Sequence, residues 1–200
     1  MIVLFGSAII ALNTSYAQEN TVRKQTFPIA TSLTNHSWAF PFKHVFRMNP
    51  IYPGISAETE YYYKSKSTFK LYQTGQIGGF YNNASGSAIY LNSNFGLRYT
   101  TKFGLATELS LGLGYFYGFY TSDTYTQSTT GDYEKSKKAG IGAMSGNIAI
   151  GLGYDFSKKF DKNITPFIRY QWIASTYYWS LITIRPNGLL HVGARFYPFQ

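Results

Sequence analysis

Apolar side chains recur at every second position along much of this 200-residue chain. The clearest stretch is 103–120. Phe103, Leu105, Leu109, Leu111, Leu113, Tyr115, Tyr117 and Phe119 share one parity, while Gly104, Ala106, Glu108, Ser110, Gly112, Gly114 and Gly118 share the other. A strand sends successive side chains to opposite faces, so this period of two predicts a two-faced strand. The same alternation predicts strands over 55–64, 88–100, 147–156, 164–179 and 189–200, and a further strand is read over 70–81, where the two faces are less distinct. An eighth is predicted over 36–48, where Trp38, Phe40 and Phe42 alternate around Pro41, a pattern suited to an edge or a kinked strand end. No amphipathic helical stripe competes with these strands.

The predicted connections alternate as well. Turns near 65–68, 101–102 and 157–163 fall at one end, and loops at 49–54, 82–87, 121–142 and 180–188 fall at the other. Short turns on one side and longer loops on the other is the pattern of outer-membrane barrels. Strands of about 9–11 residues cross a bilayer when tilted. The predicted fold is therefore all-β: an eight-stranded antiparallel up-and-down transmembrane β-barrel. Its apolar face, such as Leu190, Val192, Ala194 and Phe196, meets lipid, and its polar face meets the lumen. A soluble sandwich would reverse the two faces.

Composition favours the membrane reading. The chain holds 19 Tyr, 16 Phe and 3 Trp, and charged residues are only 14% of it, against about 25% in soluble domains. Tyr and Trp prefer the membrane–water boundary. Residues 1–17 read as a signal peptide, with an apolar run from Ile2 to Leu12 and small residues at Ser15 and Ala17 before Gln18. Residues 18–35 read as a flexible N-terminal extension, and 36–200 as the barrel. The net charge of +9 is scattered over short turns, such as Lys64, Lys66 and Lys70 or Lys158, Lys159 and Lys162, with no basic helix or stripe. That argues against a nucleic-acid partner and for solvated turns or anionic head groups. With no cysteine, disulfides and thiol chemistry are excluded.

The inward parity collects charges of both signs: Glu58, Glu60, Glu108 and Asp155 with Arg98, Arg169, His191 and Arg195. Gln171, Asn92, Asn94 and Asn147 join them. Eight strands enclose space only for side chains or one small ligand, and buried charges there must be paired. The predicted site is thus a lumen network that plugs the barrel, and an open porin is not expected. His191 is the one candidate catalytic base, with Glu58 or Glu108 as its orienter, for an acyl-transfer chemistry like that of lipid A deacylases. His36-Ser37 are neighbours that point to opposite faces, and His44 has no acid near it in sequence. No metal-ligand spacing and no cofactor motif appears. GIGAMSG at 140–146 lacks the context of a nucleotide loop, and Asp123, Asp132 and Glu134 read as solvated loop acids.

The segments NPIYPGISAETEYYY, LNSNFGLRYTTKFGL, LGLGYFYGF, PFIRYQW and LLHVGARF resemble small, poorly characterised outer-membrane β-barrel proteins of Bacteroidetes-type bacteria. The resemblance covers roughly residues 36–199. It implies the barrel fold and the outer membrane, reached through the periplasm, with no defined activity. Such barrels usually end on Phe or Tyr; here Gln200 follows Phe199. The expected protein is a monomer in contact with outer-membrane lipid and lipopolysaccharide. Its role is structural or binding, through the lumen mouth and loops, with a larger outer-membrane complex as a further partner. A lipid A-modifying enzyme using His191 is the alternative.

Overall fold

Residues Ala88–Thr100 alternate buried and exposed side chains at all thirteen positions. The sense of the alternation is inverted relative to a water-soluble strand. Asn92, Asn94 and Arg98 are buried, while Ile89, Leu91, Phe95 and Leu97 are exposed. A computed structural model of the chain, describing residues 27–37, 51–65, 68–83, 86–119, 125–127, 133–135, 140–157, 163–176 and 184–197, shows why.

Among the described residues ten strands follow in order: β1 (Ile29–Ser37), β2 (Pro53–Ser65), β3 (Phe69–Phe80), β4 (Ala88–Thr100), β5 (Leu105–Phe119), β6 (Tyr125–Gln127), β7 (Tyr133–Lys135), β8 (Gly140–Tyr154), β9 (Ile164–Thr176) and β10 (Ile184–Phe196). Eight of them close into one antiparallel barrel, with neighbours β1-β10-β9-β8-β5-β4-β3-β2 and β1 pairing β2 to finish the ring. Strands β6 and β7 form a separate two-stranded ribbon between β5 and β8. Closure leaves no strand edge, so the wall satisfies its own backbone groups, as a hydrocarbon surround requires. Thirteen residues at about 3.4 Å each, tilted by ~40°, rise roughly 34 Å, enough to cross a bilayer core.

The outer face is apolar. Leu33 and Leu113 are each 71% exposed, and Ile55, Ile77, Leu91, Leu111, Ile150 and Val192 are exposed beside them. Exposed aromatic rings gather at both ends of this belt. Tyr61, Tyr63, Phe69, Tyr99, Phe103 and Phe196 lie toward the short turns, and Tyr81, Tyr115 and Phe119 toward the loops. An apolar band between two aromatic girdles is the exterior of a transmembrane barrel. The turn from β4 to β5 closes on Gly104, whose φ of 100° favours glycine and whose N–H donates to Thr101 O at 3.1 Å.

Several boundaries differ from the sequence reading. The first barrel strand is Ile29–Ser37, inside the segment read as a flexible extension up to Asn35. It shows Ala30, Ser32, Thr34 and His36 to the interior and Ile29, Thr31 and Leu33 to the outside, so its weak apolar face hid it. The strand expected over 36–48 shares only His36 and Ser37 with it; residues 38–50 lie outside the described residues, as does the signal segment 1–17. The loop expected over 121–142 contains the β6–β7 ribbon and the start of β8 at Gly140. Its other residues, Asp123 and Asp132 among them, lie outside the described residues. Residues 184–188, expected as loop, belong to β10. There Pro186 faces Ala174 of β9 and lies beyond the described pairing with β1, which ends at Ser37 and Gly188, so its missing N–H breaks no ladder on that side.

Replacing Leu113 by Arg discriminates the two possible surrounds. At a water-facing position 71% exposed the change would be nearly neutral; against hydrocarbon at mid-wall it costs about 2–4 kcal/mol. Reversible folding of L113R into lipid vesicles, followed by denaturant titration, is expected to show that loss.

Candidate functional site: the charged lumen network

Inward side chains fall into three layers from the turn end to the loop end. The first is charged. Arg98 of β4 grips Glu60 of β2 with two parallel hydrogen bonds, Nη2 to Oε1 at 2.6 Å and Nη1 to Oε2 at 3.0 Å. Arg169 of β9 grips Glu58 of β2 in the same forked way, with Nη1 to Oε2 at 2.7 Å. Arg195 of β10 donates from Nε to Glu60 Oε1 at 2.7 Å. Glu108 of β5 joins the three. It accepts from Arg98 Nη2 at 3.0 Å, Arg169 Nε at 2.9 Å and Arg195 Nη2 at 3.1 Å. Three carboxylates and three guanidinium groups, all buried, thus form one neutral cluster that ties together five strands. The whole +9 of the chain lies outside it.

The local sequence makes the cluster possible. Arg98 and Glu108 are direct cross-strand partners. Glu108 and Arg169 are one strand further apart, with Gly151 of β8 opposite both. A Cβ on Gly151 would come within 2.8 Å of Glu108 Oε1, so glycine here leaves the space in which Glu108 lies over β8 toward Arg169. Aromatic rings shield the guanidinium groups. Arg98 lies 4.5 Å from the Tyr72 ring centroid, and the Phe167 ring lies 4.8 Å from Arg169 and 5.2 Å from Arg195. The Tyr62 hydroxyl donates to Glu60 Oε2 at 2.6 Å. Beyond it Lys70 Nζ sits 5.4 Å from the Tyr62 ring and 5.5 Å from that of Tyr197.

The second layer is neutral and rich in amides. Gln76 Oε1 accepts from Gln171 Nε2 at 3.0 Å and Asn92 Nδ2 at 3.2 Å, and Gln171 Nε2 also donates to Asn147 Oδ1 at 3.1 Å. His191 stands at this level. Its Nδ1 is 3.0 Å from Ser32 Oγ and 3.3 Å from Ser56 Oγ, and the two hydroxyls are 2.8 Å apart. The third layer is mostly apolar: Phe80, Ala88, Tyr90, Phe116, Ile173 and Leu189. His36 stacks on Phe80 there, with ring centroids 3.9 Å apart. Its Nδ1 accepts from Asn82 Nδ2 at 3.0 Å, which leaves Nε2 to donate to Asn187 Oδ1 at 3.2 Å.

Of the sequence-predicted lumen residues, Glu58, Glu60, Arg98, Glu108, Arg169 and Arg195 meet in the charged cluster, Gln171 lies in the amide layer, and His191 lies beside it. Asp155 does not join them. β8 ends at Tyr154, and Asp155 opens the following turn, where Oδ1 accepts from Ser157 N at 3.0 Å and Ser157 Oγ at 2.6 Å. The sequence reading missed Gln76, Ser32, Ser56 and His36. Gln76 alternates with Thr74 and Tyr72, a signal blurred by Gly75, Gly78 and Gly79. A catalytic role for His191 would need a serine open to substrate and an acid on the ring. Ser32, Ser56 and His191 are all buried, and Glu58 and Glu108 are hydrogen-bonded to arginines. No group of three or more metal-ligating side chains comes together among the described residues.

No protein-family model matches the chain, and no curated protein matches it. Solved structures of similar shape exist. Neisserial surface protein A has 10% identity and a TM-score of 0.49, covering 86% of this chain and 96% of its own. The attachment invasion locus protein Ail of Yersinia pestis has 14% identity and a TM-score of 0.47, covering 86% and 97%. The N-terminal β-barrel domain of Pseudomonas aeruginosa OprF has 14% identity and a TM-score of 0.44, covering 86% and 100%. The likeness is one of coarse barrel shape.

Two substitutions test the cluster. Glu108→Leu removes the carboxylate shared by three buried guanidinium groups and leaves the cluster with an uncompensated positive charge, and breaking a buried ion pair by removing one partner costs about 3–5 kcal/mol. Gly151→Val crowds Glu108 without changing any charge, and overpacking costs about 1–3 kcal/mol. Denaturant unfolding in detergent or lipid is expected to rank wild type above Gly151→Val above Glu108→Leu.

Proposed function

We propose that this protein is an outer-membrane barrel whose lumen is closed by its own side chains, and that its role is structural or binding, not catalytic. The observation that carries this reading is Glu108 held by three arginines from three other strands. A cluster of that kind, with all six members buried, supports a wall fixed from inside and a lumen closed to solute. The apolar belt and aromatic girdles support a lipid surround. An even-numbered closed barrel with short turns at one end supports the outer membrane in particular. The sequence motifs support an origin in a Bacteroidetes-type bacterium. With the interior occupied, binding falls to the loop-end mouth and the loops, which a rigid scaffold holds in place. Their partner is lipopolysaccharide or a larger outer-membrane complex. The lipid A-modifying alternative has no support from the geometry, because His191 and its two serines face the interior and not the lipid boundary.

Two measurements test this. Purified protein in a planar bilayer is expected to give no steady conductance. Mass spectra of lipid A from cells with and without the protein are expected to be identical. A stable open channel would contradict the closed lumen, and an acyl chain lost or gained would make the protein an enzyme.

A further inference from the structure

The charges outside the lumen cluster are unevenly divided between the two ends of the barrel. The short-turn end, taken as residues 64–70, 101–104 and 155–163, carries seven lysines and two aspartates. The connections at the loop end, together with Arg185, carry six basic residues and three acids. The kind of cation differs as well. The three cations of the lumen cluster are arginines, whose planar forks fit carboxylates. Every cation of the turn end is a lysine, a compact charge that meets phosphate as a point charge.

The strand pairing turns one of these lysines toward the lipid. Along β2 the outward residues are Ile55, Ala57, Thr59, Tyr61 and Tyr63, so strict alternation would send Lys64 inward. A bulge breaks the alternation: Tyr62 faces Tyr72, but Lys64 faces Leu71. Leu71 faces Leu97, and Leu97 faces Leu109, both exposed on the outer wall. The extra residue thus re-aims Lys64 onto the outer face, next to the exposed ring of Tyr63. In the β4–β5 turn, Lys102 and the adjoining Phe103 are both exposed. The rings of Tyr63, Tyr99 and Phe103 mark this level as the aromatic girdle. Neither lysine has an ion-pair partner among the described residues, where the carboxylates of Glu58, Glu60 and Glu108 are held by arginines and that of Asp155 accepts from Ser157.

A lysine at the girdle lays its apolar stem along the wall and lifts its ammonium group into the head-group layer. Short turns of such barrels lie on the periplasmic side. We propose that the turn-end rim around Lys64 and Lys102 binds the phosphate groups of anionic phospholipids in the periplasmic leaflet. Two observations favour lipid over a soluble anion: the bulge spends a strand residue to bring Lys64 to the outer face, and both lysines adjoin outward aromatic rings. The surplus of lysine at this end adds a general attraction to a negative surface. The inference rests on the lipid surround of the wall proposed above.

The test counts lipids retained on the intact barrel by native mass spectrometry, after titration with dimyristoyl phosphatidylglycerol or dimyristoyl phosphatidylcholine. Wild type is expected to retain the glycerol lipid about fivefold better, and Lys64→Gln/Lys102→Gln to bring the two lipids to about equal retention. Lys135→Gln/Lys137→Gln, which removes the same charge from the β5–β8 connection, is expected to keep the wild-type preference. Equal retention of both lipids by wild type, or an equal loss in the two double variants, would overturn the proposal. So would binding of isolated peptidoglycan that depends on Lys64 and Lys102 while lipid retention does not. Flotation with the outer membrane and heat-dependent gel migration report the membrane barrel separately. A protein that floats and folds without lipid preference sinks the rim site alone, and one that fails to float sinks the membrane reading and the rim site with it.

Discussion

Glu108 is the point on which the interior depends. One carboxylate from β5 accepts hydrogen bonds from guanidinium groups on β4, β9 and β10, and Arg98 and Arg195 carry the connection on to Glu60 of β2. Buried charges are stable only when paired and hydrogen-bonded. Within a narrow barrel the available partners are other inward residues. The strand register therefore has to bring opposite charges to the same height, and it does: Arg98 faces Glu108 directly, and Arg169 faces the glycine that lies between it and the same carboxylate.

Space around the cluster is made by omission. Gly151 leaves the space in which Glu108 lies over β8 toward Arg169, and Gly96 leaves room for the Tyr72 ring that lies against Arg98. Further up, Asn94 and Asn92 lodge over Gly112 and Gly114 in the same manner. The interior thus changes character along the axis, from ion pairs through amides to aromatic and aliphatic side chains. Each layer meets the demand that inward polar groups find partners in a compartment of fixed width. Outside, the same strands present aliphatic side chains flanked by aromatic rings, so one alternating pattern serves two different surrounds.

Most of this was legible from alternation alone. Strands such as 88–100 and 103–120 carry contrasting residues on the two parities, and those parities named six of the six members of the charged cluster. Legibility failed where one face was weak or interrupted. β1 places small and polar residues inside and a Thr between Ile29 and Leu33 outside, so it read as loose chain. β3 carries three glycines that concealed Gln76, the centre of the amide layer. Asp155 kept the right parity but stood one residue past the end of its strand, where a turn claims its carboxylate. Parity also says nothing about which inward charges pair; that follows from register across strands distant in sequence.

The coupling between Glu108 and Arg169 is the most direct measure of whether the cluster holds the barrel. A double-mutant cycle with Glu108→Gln, Arg169→Met and the combined variant isolates it from the desolvation of each partner. Unfolding free energies of the four proteins in the same lipid are predicted to give a coupling of about 1–3 kcal/mol, with the double variant less destabilised than the sum of the singles. Strict additivity would contradict the account, because the two side chains, 2.9 Å apart, would then contribute independently to a structure said to rest on their pairing.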